Sequence, residues 1–245
     1  MADASQKIAL ITGANKGIGK ETARQLGHLG FTVLVGSRDL GRGEAAAEEL
    51  RGEGIEAHAV ALDVTDLGSI QSARATIEGQ FGHVDALINN AGISIEPFGG
   101  ADSTLNTQTY RDTFEANVFG LIDVTREFLP LVEKAPAGRI VNLSSILSSL
   151  ALHADPGSPI YDFKAPAYDA SKTTVNAFTV HLAYALRKTP IKVNAAHPGW
   201  VKTDMGGEEA PMELVDGAKT SVALATLPAD GPTGGLFHMG ETLPW

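Results

Sequence analysis

The sequence predicts an α/β fold: a single domain over residues 1–245, built on a doubly wound, parallel, seven-stranded sheet with helices on both faces. Three observations predict it. Short apolar runs alternate with longer amphipathic stretches along the whole chain. The runs are nearly continuous in apolar character, as expected of strands covered on both sides. No Pro/Ser-rich linker, short-period repeat or shift in charge divides the 245 residues, a length that one α/β domain can reach.

The first strand is KIALIT (7–12), and the glycine-rich TGANKGIGK (12–20) leads from it into the helical pattern GKETARQLGHLG. TVLVGS (32–37) and EAHAVALD (56–63) follow as strands, then SIQSARATIEGQFG as a helix and VDALINN (84–90) as the fourth strand. GRIVNLSS (138–145), IKVNAAHPG (191–199) and GGLFHM (234–239) complete the seven. Residues 152–166 hold Pro156, Pro159 and Pro166 and read as an irregular loop; 203–217 reads as a second mobile loop or short helix. Between Pro166 and Pro190, Tyr168, Lys172, Val175, Thr179, Leu182 and Leu186 recur at helical spacing, so this stretch is a helix with one buried face.

Composition narrows the function. With 19 basic and 29 acidic residues the formal charge is −10, which disfavours nucleic acid and requires a local basic pocket for any anionic ligand. The absence of cysteine excludes disulfides, thiolate catalysis and cysteine-ligated metals. The seven histidines form no His-x-x-x-His pair, so no metal is expected. Neither a signal peptide nor an apolar run of about 20 residues is present, and a cytoplasmic protein without membrane contact is the expectation.

A strand that runs into glycines and then a helix brings a nucleotide phosphate against backbone N–H groups, the Rossmann-type arrangement. Here it would use Gly13, Asn15, Lys16, Gly17, Ile18 and Gly19. A P-loop would need glycine at 14 and Ser/Thr at 21, where the chain has Ala14 and Glu21. The second strand ends in Ser37-Arg38, where an arginine suits the 2′-phosphate of NADP and an acid the 2′-hydroxyl of NAD. Lys16 would add a second positive charge, while Asp39 beside Arg38 pulls the other way. NADP(H) is therefore expected over NAD(H). Asp63-Val64 ends the third strand, where Asp63 could accept from the adenine amino group.

Two tyrosines are followed closely by lysine in YDFKAPAYDASK (161–172). Lys164 precedes Ala165-Pro166, in an extended or turn segment where a spacing of three does not reliably join side chains. Tyr168 and Lys172 lie one helical turn apart and can share a pocket. A nearby ammonium, or the positive ring of an oxidised nicotinamide, would lower the phenol from its ordinary pKa near 10 and let it exchange a proton with an alcohol or carbonyl oxygen.

TGANKGIG, NNAG (89–92), NVFG around Asn117, VNLSS (141–145), YDASK and PGWVKTD (198–204) occur in this order over nearly the whole chain. Together they resemble the short-chain dehydrogenase/reductase family, most of all its NADPH-dependent carbonyl reductases. The resemblance implies a dinucleotide-binding half of about residues 1–145 and a catalytic, substrate-binding half of about 146–245. It places the carbonyl-binding serine on Ser145, with Ser144 as the competing choice, and the proton-exchanging tyrosine on Tyr168. Lys172 would tune the phenol and hold the nicotinamide ribose, and Asn117 would hold a water that links the lysine to solvent. Asn89 or Asn90 would brace the central strands, while Ala91 and Gly92 leave room for the adenosine ribose. Pro198, Gly199, Val201 and Thr203 would receive the carboxamide and pyrophosphate. The same resemblance admits a 3-oxoacyl-thioester reductase or a secondary-alcohol dehydrogenase, and a non-catalytic NADPH sensor is the rival from another class. A hydrolase triad of Ser145, His153 and Asp155 lacks the G-x-S-x-G elbow.

The chain departs from the family pattern twice. Ser145 and Tyr168 are separated by the long proline-rich loop, which implies a monomer or homodimer in place of the usual tetramer. The chain also ends FHMGETLPW without the usual VDGG. Ile93, Phe98, Leu147, Tyr161, Phe163, Trp200 and Met205 are candidate pocket residues, and their apolar character favours a small hydrophobic carbonyl substrate.

Overall fold

The computed structural model describes residues 6–96 and 104–245. The seven expected strands all form: β1 (Lys7–Thr12), β2 (Phe31–Ser37), β3 (Ala57–Ala61), β4 (Ala86–Asn89), β5 (Arg139–Leu143), β6 (Lys192–Ala196) and β7 (Leu236–His238). An eighth, β8 (Glu241–Thr242), pairs antiparallel with β7, and the sheet runs β3-β2-β1-β4-β5-β6-β7-β8. The expected count of seven is thus corrected to eight. β8 escapes a periodicity reading because it has two residues, and what makes it is the turn before it. Met239 and Gly240 both take positive φ, 48° and 91°, the two-residue turn whose twist matches an antiparallel hairpin.

Alternation along each strand divides the core. Ala9, Ile11, Val33, Val35, Ile88 and Val141 face one side. There they meet α1 (Gly17–His28), α2 (Leu40–Gly52) and α8 (Leu214–Ala225) through Ala23, Leu26, Leu50 and Leu224. Ile8, Leu10, Leu34, Leu87, Ile140 and Val193 face the other side. There they meet α3 (Leu67–Phe81), α5 (Gly120–Val132) and α7 (Pro166–Ala185) through Ile70, Ile77, Phe128 and Ala183. Each fully buried Leu or Ile contributes about 1.5–3 kcal/mol, and Leu10, Leu34, Leu87 and Ile88 have no measurable exposure.

α4 (Thr107–Phe114) passes into α5 through a single π-turn, Glu115–Phe119. The two loops are partly ordered: residues 150–154 form the short helix α6 (Leu150–Ala154), and α8 begins at Leu214. The sheet order reverses at β1, which pairs with β2 on one side and β4 on the other. A crevice beyond the carboxyl ends of strands at such a reversal is where ligands bind in open α/β sheets. Among the described residues, no helix is long and apolar enough to cross a membrane.

Candidate active site

The turn after β1 is built to approach a phosphate. Gly13 and Gly17 have φ of 64° and 58°, conformations open to glycine at little cost. A Cβ on Gly19 would lie 2.5 Å from Asn90 Nδ2 and 2.6 Å from the Gly13 carbonyl. Asn90 ties this turn to β4, donating from Nδ2 to the Thr12 carbonyl at 2.8 Å and from its backbone N–H to Thr12 Oγ1 at 3.0 Å. α1 has Lys16 as N-cap with no side-chain cap and no acid in its first turn, so its leading N–H groups remain available to an anion. Asn15 and Ile18 are half-buried in the same turn.

Ser37 is buried at the end of β2 and bonds the Asp39 carbonyl at 2.8 Å. Asp39 caps α2, accepting from the Arg42 N–H at 3.0 Å. Arg38 is exposed and forms no ion pair among the described residues. Lys16 instead pairs with Asp204 at 2.5 Å, both side chains largely exposed. Asp63 Oδ1 accepts from the backbone N–H and hydroxyl of Thr65 at 3.0 and 2.8 Å. The Val64 carbonyl is packed so closely on Gly120 that a Cβ there would lie 2.5 Å away.

Beside the glycine turn, Ala91 gives its N–H to Thr12 Oγ1 at 3.0 Å. A Cβ on Gly92 would be 3.2 Å from Asn117 Oδ1 and 3.5 Å from Lys172 Nζ, so these three residues share one point in space. Asn117 sits in the π-turn, fully buried. Its amide accepts from the Ile93 N–H at 2.7 Å and donates to the Ile93 carbonyl at 2.9 Å and to Ser171 Oγ at 3.0 Å. A π-turn at a functional position is a recurring association.

The two adjacent serines face different neighbours. Ser144 donates to Asn176 Oδ1 at 2.7 Å, inside the protein. Ser145 accepts the Leu147 N–H at 3.1 Å, and its hydroxyl is near enough to the Tyr168 phenol to oppose the rise of the phenol's pKa. Lys172 Nζ donates to the Leu143 carbonyl at 2.7 Å and lies 5.6 Å from the centre of the Tyr168 ring. The expected lowering of the phenol by this ammonium is not realised. Burial pushes Tyr168 up to about 12, with the Ser145 hydrogen bond opposing and Asp169 adding to the rise. Burial also draws Lys172 down to about 8. Desolvation disfavours both charged forms, so it outweighs a single ammonium directed at a carbonyl.

The loop after β6 closes over the glycine turn. Thr203 Cγ2 would stand 3.8 Å from a Cβ on Gly17, and Thr203 Oγ1 accepts the Gly206 N–H at 2.9 Å. Gly199 has φ of 92°, and a Cβ there would strike Met212 Sδ. Pro198 is half-buried beside it. Val201 is buried and bridges to Met212. Trp200 gives its Nε1–H to the Gly206 carbonyl at 2.8 Å and packs on Phe163 with ring centres 6.4 Å apart, joining this loop to the proline-rich one. Trp200, Phe163, Tyr161 and Met205 are all exposed. Leu147 and Ile93 are half-buried, and Phe98 lies outside the described residues. The turn at 161–164 does bring its pair together: Lys164 Nζ stands 4.8 Å over the Tyr161 ring, at the surface. His153 binds the Leu147 carbonyl and Lys164, not Ser145.

Three features were missed in the sequence. Asn142 joins Asn89 Nδ2 to Thr179 Oγ1 by two bonds of 2.9 Å. Asn176 holds Ser144 and Ser148. Glu96 and Asp169 seat two carboxyl groups against the start of α7. These contacts join distant residues, and the acid directly after Tyr168 was the one local signal.

The glycine cradle, the uncapped helix start and the unpaired Arg38 fit a phosphorylated dinucleotide. Comparison with known proteins agrees. The family model described as short chain dehydrogenase matches residues 7–214. Human carbonyl reductase 1 (NADPH), from Homo sapiens, is 35% identical over 276 residues, covering 97% of this chain and 98% of that protein. Short-chain dehydrogenase anuI from Penicillium roqueforti is 36% identical over 235 residues, covering 92% and 91%. The NADPH-bound carbonyl reductase from chicken fatty liver superposes with a TM-score of 0.84 at 26% identity, covering 98% of this chain and 99% of that one. With a family model matched over most of its length and a relative 35% identical over nearly the whole of both chains, the chain belongs to the short-chain dehydrogenase family.

Proposed function

We propose that this protein is an NADPH-dependent carbonyl reductase that converts small hydrophobic ketones and aldehydes to alcohols. The observation that carries the reading is the gathering of Tyr168, Lys172 and Asn117 at one place beside Ser145: Lys172 Nζ lies 5.6 Å from the Tyr168 ring centre, and a Cβ on Gly92 would meet both Asn117 and Lys172. NADPH, when bound, supplies the hydride. The turn Gly13–Gly19 and the start of α1 would hold its pyrophosphate, and Arg38 its 2′-phosphate. Asp63, Val64, Ala91 and Gly92 would line the adenosine side, and Pro198 to Thr203 the nicotinamide side.

The protein's own part is proton and charge handling. Ser145 donates to the carbonyl oxygen and stabilises the charge that develops on it. Tyr168 gives that oxygen its proton. A phenol pushed up to about 12 holds its proton at neutral pH and is available as an acid when charge develops on the carbonyl oxygen. Lys172 would restore the proton to Tyr168, with a water held at Asn117 linking the lysine to solvent. Trp200 and Phe163 would form an aromatic wall for a planar, apolar substrate. The long loop joined by that wall supports a monomer or homodimer, which sedimentation equilibrium tests directly.

The deciding assay follows reduced-nicotinamide absorbance with NADPH and NADH in parallel against aryl and alkyl ketones, aldehydes and a 3-oxoacyl thioester. Turnover of ketones that prefers NADPH is expected. Turnover confined to the thioester would reassign the substrate, and a preference for NADH would show that Arg38 does not select the cofactor. Cofactor binding with no turnover on any of them would overturn the enzyme reading in favour of a sensor.

A further inference from the structure

An acid from a loop remote in sequence reaches the glycine turn. Lys16 Nζ donates to Asp204 Oδ2 at 2.5 Å, across 188 positions of the chain, and both side chains stay largely exposed. Asp204 stands on a turn closed by its own bonds: Thr203 Oγ1 accepts the Gly206 N–H at 2.9 Å, and the Thr203 carbonyl accepts the Gly207 N–H at 2.9 Å. The Trp200 indole holds the same turn through the Gly206 carbonyl. A built frame thus presents this carboxyl to Lys16, and the proposed carbonyl chemistry gives it no part. The Lys16 ammonium, by its hydrogen bond first and then by its charge, holds the Asp204 carboxyl below its ordinary value. The acid is therefore ionised at neutral pH.

The cations nearby differ in what they can offer a ligand. Ala14 gives its N–H to the Gly36 carbonyl at 2.9 Å, so Lys16 and Arg38 each stand two residues beyond a contact that joins the ends of β1 and β2. Lys20 is paired with Glu49 at 2.6 Å, and Lys202 with Glu213. Asp39, next to Arg38, turns to Arg42, accepting its N–H at 3.0 Å with the guanidinium 3.7 Å away. Arg38 is left open, and Lys16 is engaged by Asp204. An exposed ion pair of this kind is weak and gives way to a stronger partner. A phosphate monoester is such a partner: it carries close to two negative charges at neutral pH and three acceptor oxygens, against the single charge of a carboxylate.

We propose that Asp204 competes with the 2′-phosphate of NADP for Lys16, and so sets how strongly the protein discriminates NADP(H) from NAD(H). NAD(H) has no 2′-phosphate and leaves the Lys16–Asp204 pair intact. NADP(H) draws Lys16 away from Asp204 to stand with Arg38 on the phosphate, and the separation of the pair is subtracted from its affinity alone. Asp204 is thus a specificity-determining residue that acts through Lys16 and holds the preference for the phosphorylated cofactor below what two open cations would give. The inference rests on the reading of Lys16 and Arg38 as the phosphate-facing cations, and its test measures binding of nucleotides that cannot be turned over.

Calorimetric titration with adenosine 2′,5′-bisphosphate and adenosine 5′-monophosphate, which differ only in the 2′-phosphate, separates that group from the rest of the cofactor. Asp204→Asn should bind the bisphosphate more tightly, by up to about fivefold, the range of an exposed ion pair, and leave the monophosphate unchanged. Lys16→Gln should weaken the bisphosphate, and adding Asp204→Asn to it should bring little further gain because the competition has gone. Glu209→Gln, an equal change of charge farther along the same loop, should alter neither Kd. The proposal is overturned if Asp204→Asn leaves the bisphosphate Kd where it was, or tightens both nucleotides equally, which would make Asp204 a general repellent of anions. Weaker bisphosphate binding by Asp204→Asn would also overturn it, since Asp204 would then be steering Lys16 onto the phosphate. An unchanged bisphosphate Kd in Lys16→Gln would remove Lys16 from the phosphate and the proposal with it. Failure of the protein to reduce any ketone would leave these binding results untouched, so the two readings fail separately.

Discussion

Replacing Asn117 by alanine tests the centre of the site through its hydrogen bonds. The amide makes three bonds, to the N–H and carbonyl of Ile93 and to Ser171 Oγ. Alanine strands both backbone groups of Ile93 in a place with no exposed surface on residue 117. At about 1–3 kcal/mol for each stranded buried group, the loss is roughly 2–6 kcal/mol. For a domain of this size that corresponds to a fall in Tm on the order of 5–20 °C. Catalysis should suffer beyond the loss of folded protein, because Ile93 adjoins Gly92, where an added Cβ would meet both Asn117 and Lys172. A displacement there should lower kcat by about 10- to 100-fold at temperatures well below Tm. Circular-dichroism melting and ketone-dependent NADPH oxidation measure the two effects. A variant that melts within about 2 °C of the native protein and keeps its kcat would refute the reasoning.

Three further substitutions probe separate parts. Tyr168→Phe should retain NADPH affinity by calorimetry while turnover falls by about 10²–10⁴; substantial residual turnover would remove Tyr168 as the proton donor. Gly19→Ala places a methyl group 2.5 Å from Asn90 Nδ2 and 2.6 Å from the Gly13 carbonyl. NADPH affinity should drop by at least about tenfold as the cradle distorts, and an unchanged Kd would count against the cradle. Arg38→Asp should reverse the ratio of kcat/KM for NADPH over NADH, and a ratio that stays put would leave Arg38 a solvated surface charge.

The seven main strands were legible because most are buried on both faces, so largely apolar runs of six to nine residues mark them without help from context. β8 was not, since it depends on two positive-φ residues closing a hairpin. Tyr168 and Lys172 could be read as a pair because one helix carries both. The choice between Ser144 and Ser145 could not be read, because the two differ only in what they face: Asn176 for one, Tyr168 for the other. The behaviour of the phenol also lay beyond the sequence, which shows the lysine but not the depth of burial that outweighs it. Glu96 was invisible for a related reason: its partner is 72 positions away.

The Asn89–Asn142–Thr179 chain bears on how the protein reaches this fold. Asn89 and Asn142 stand opposite each other in the β4–β5 register, and both are buried. Apolar neighbours such as Ile88 and Val141 would tolerate many pairings, since one aliphatic contact resembles another. Two amides do not. A slip of one residue would turn Asn142 toward the opposite face and leave both side chains dehydrated and unmatched, at about 1–3 kcal/mol for each lost partner. The ladder thus acts as a proofreading step during assembly: the central strands can collapse together in several alignments, but one alone satisfies the amides, and it is the one that sets Gly92 and Ser145 at the same edge of the sheet.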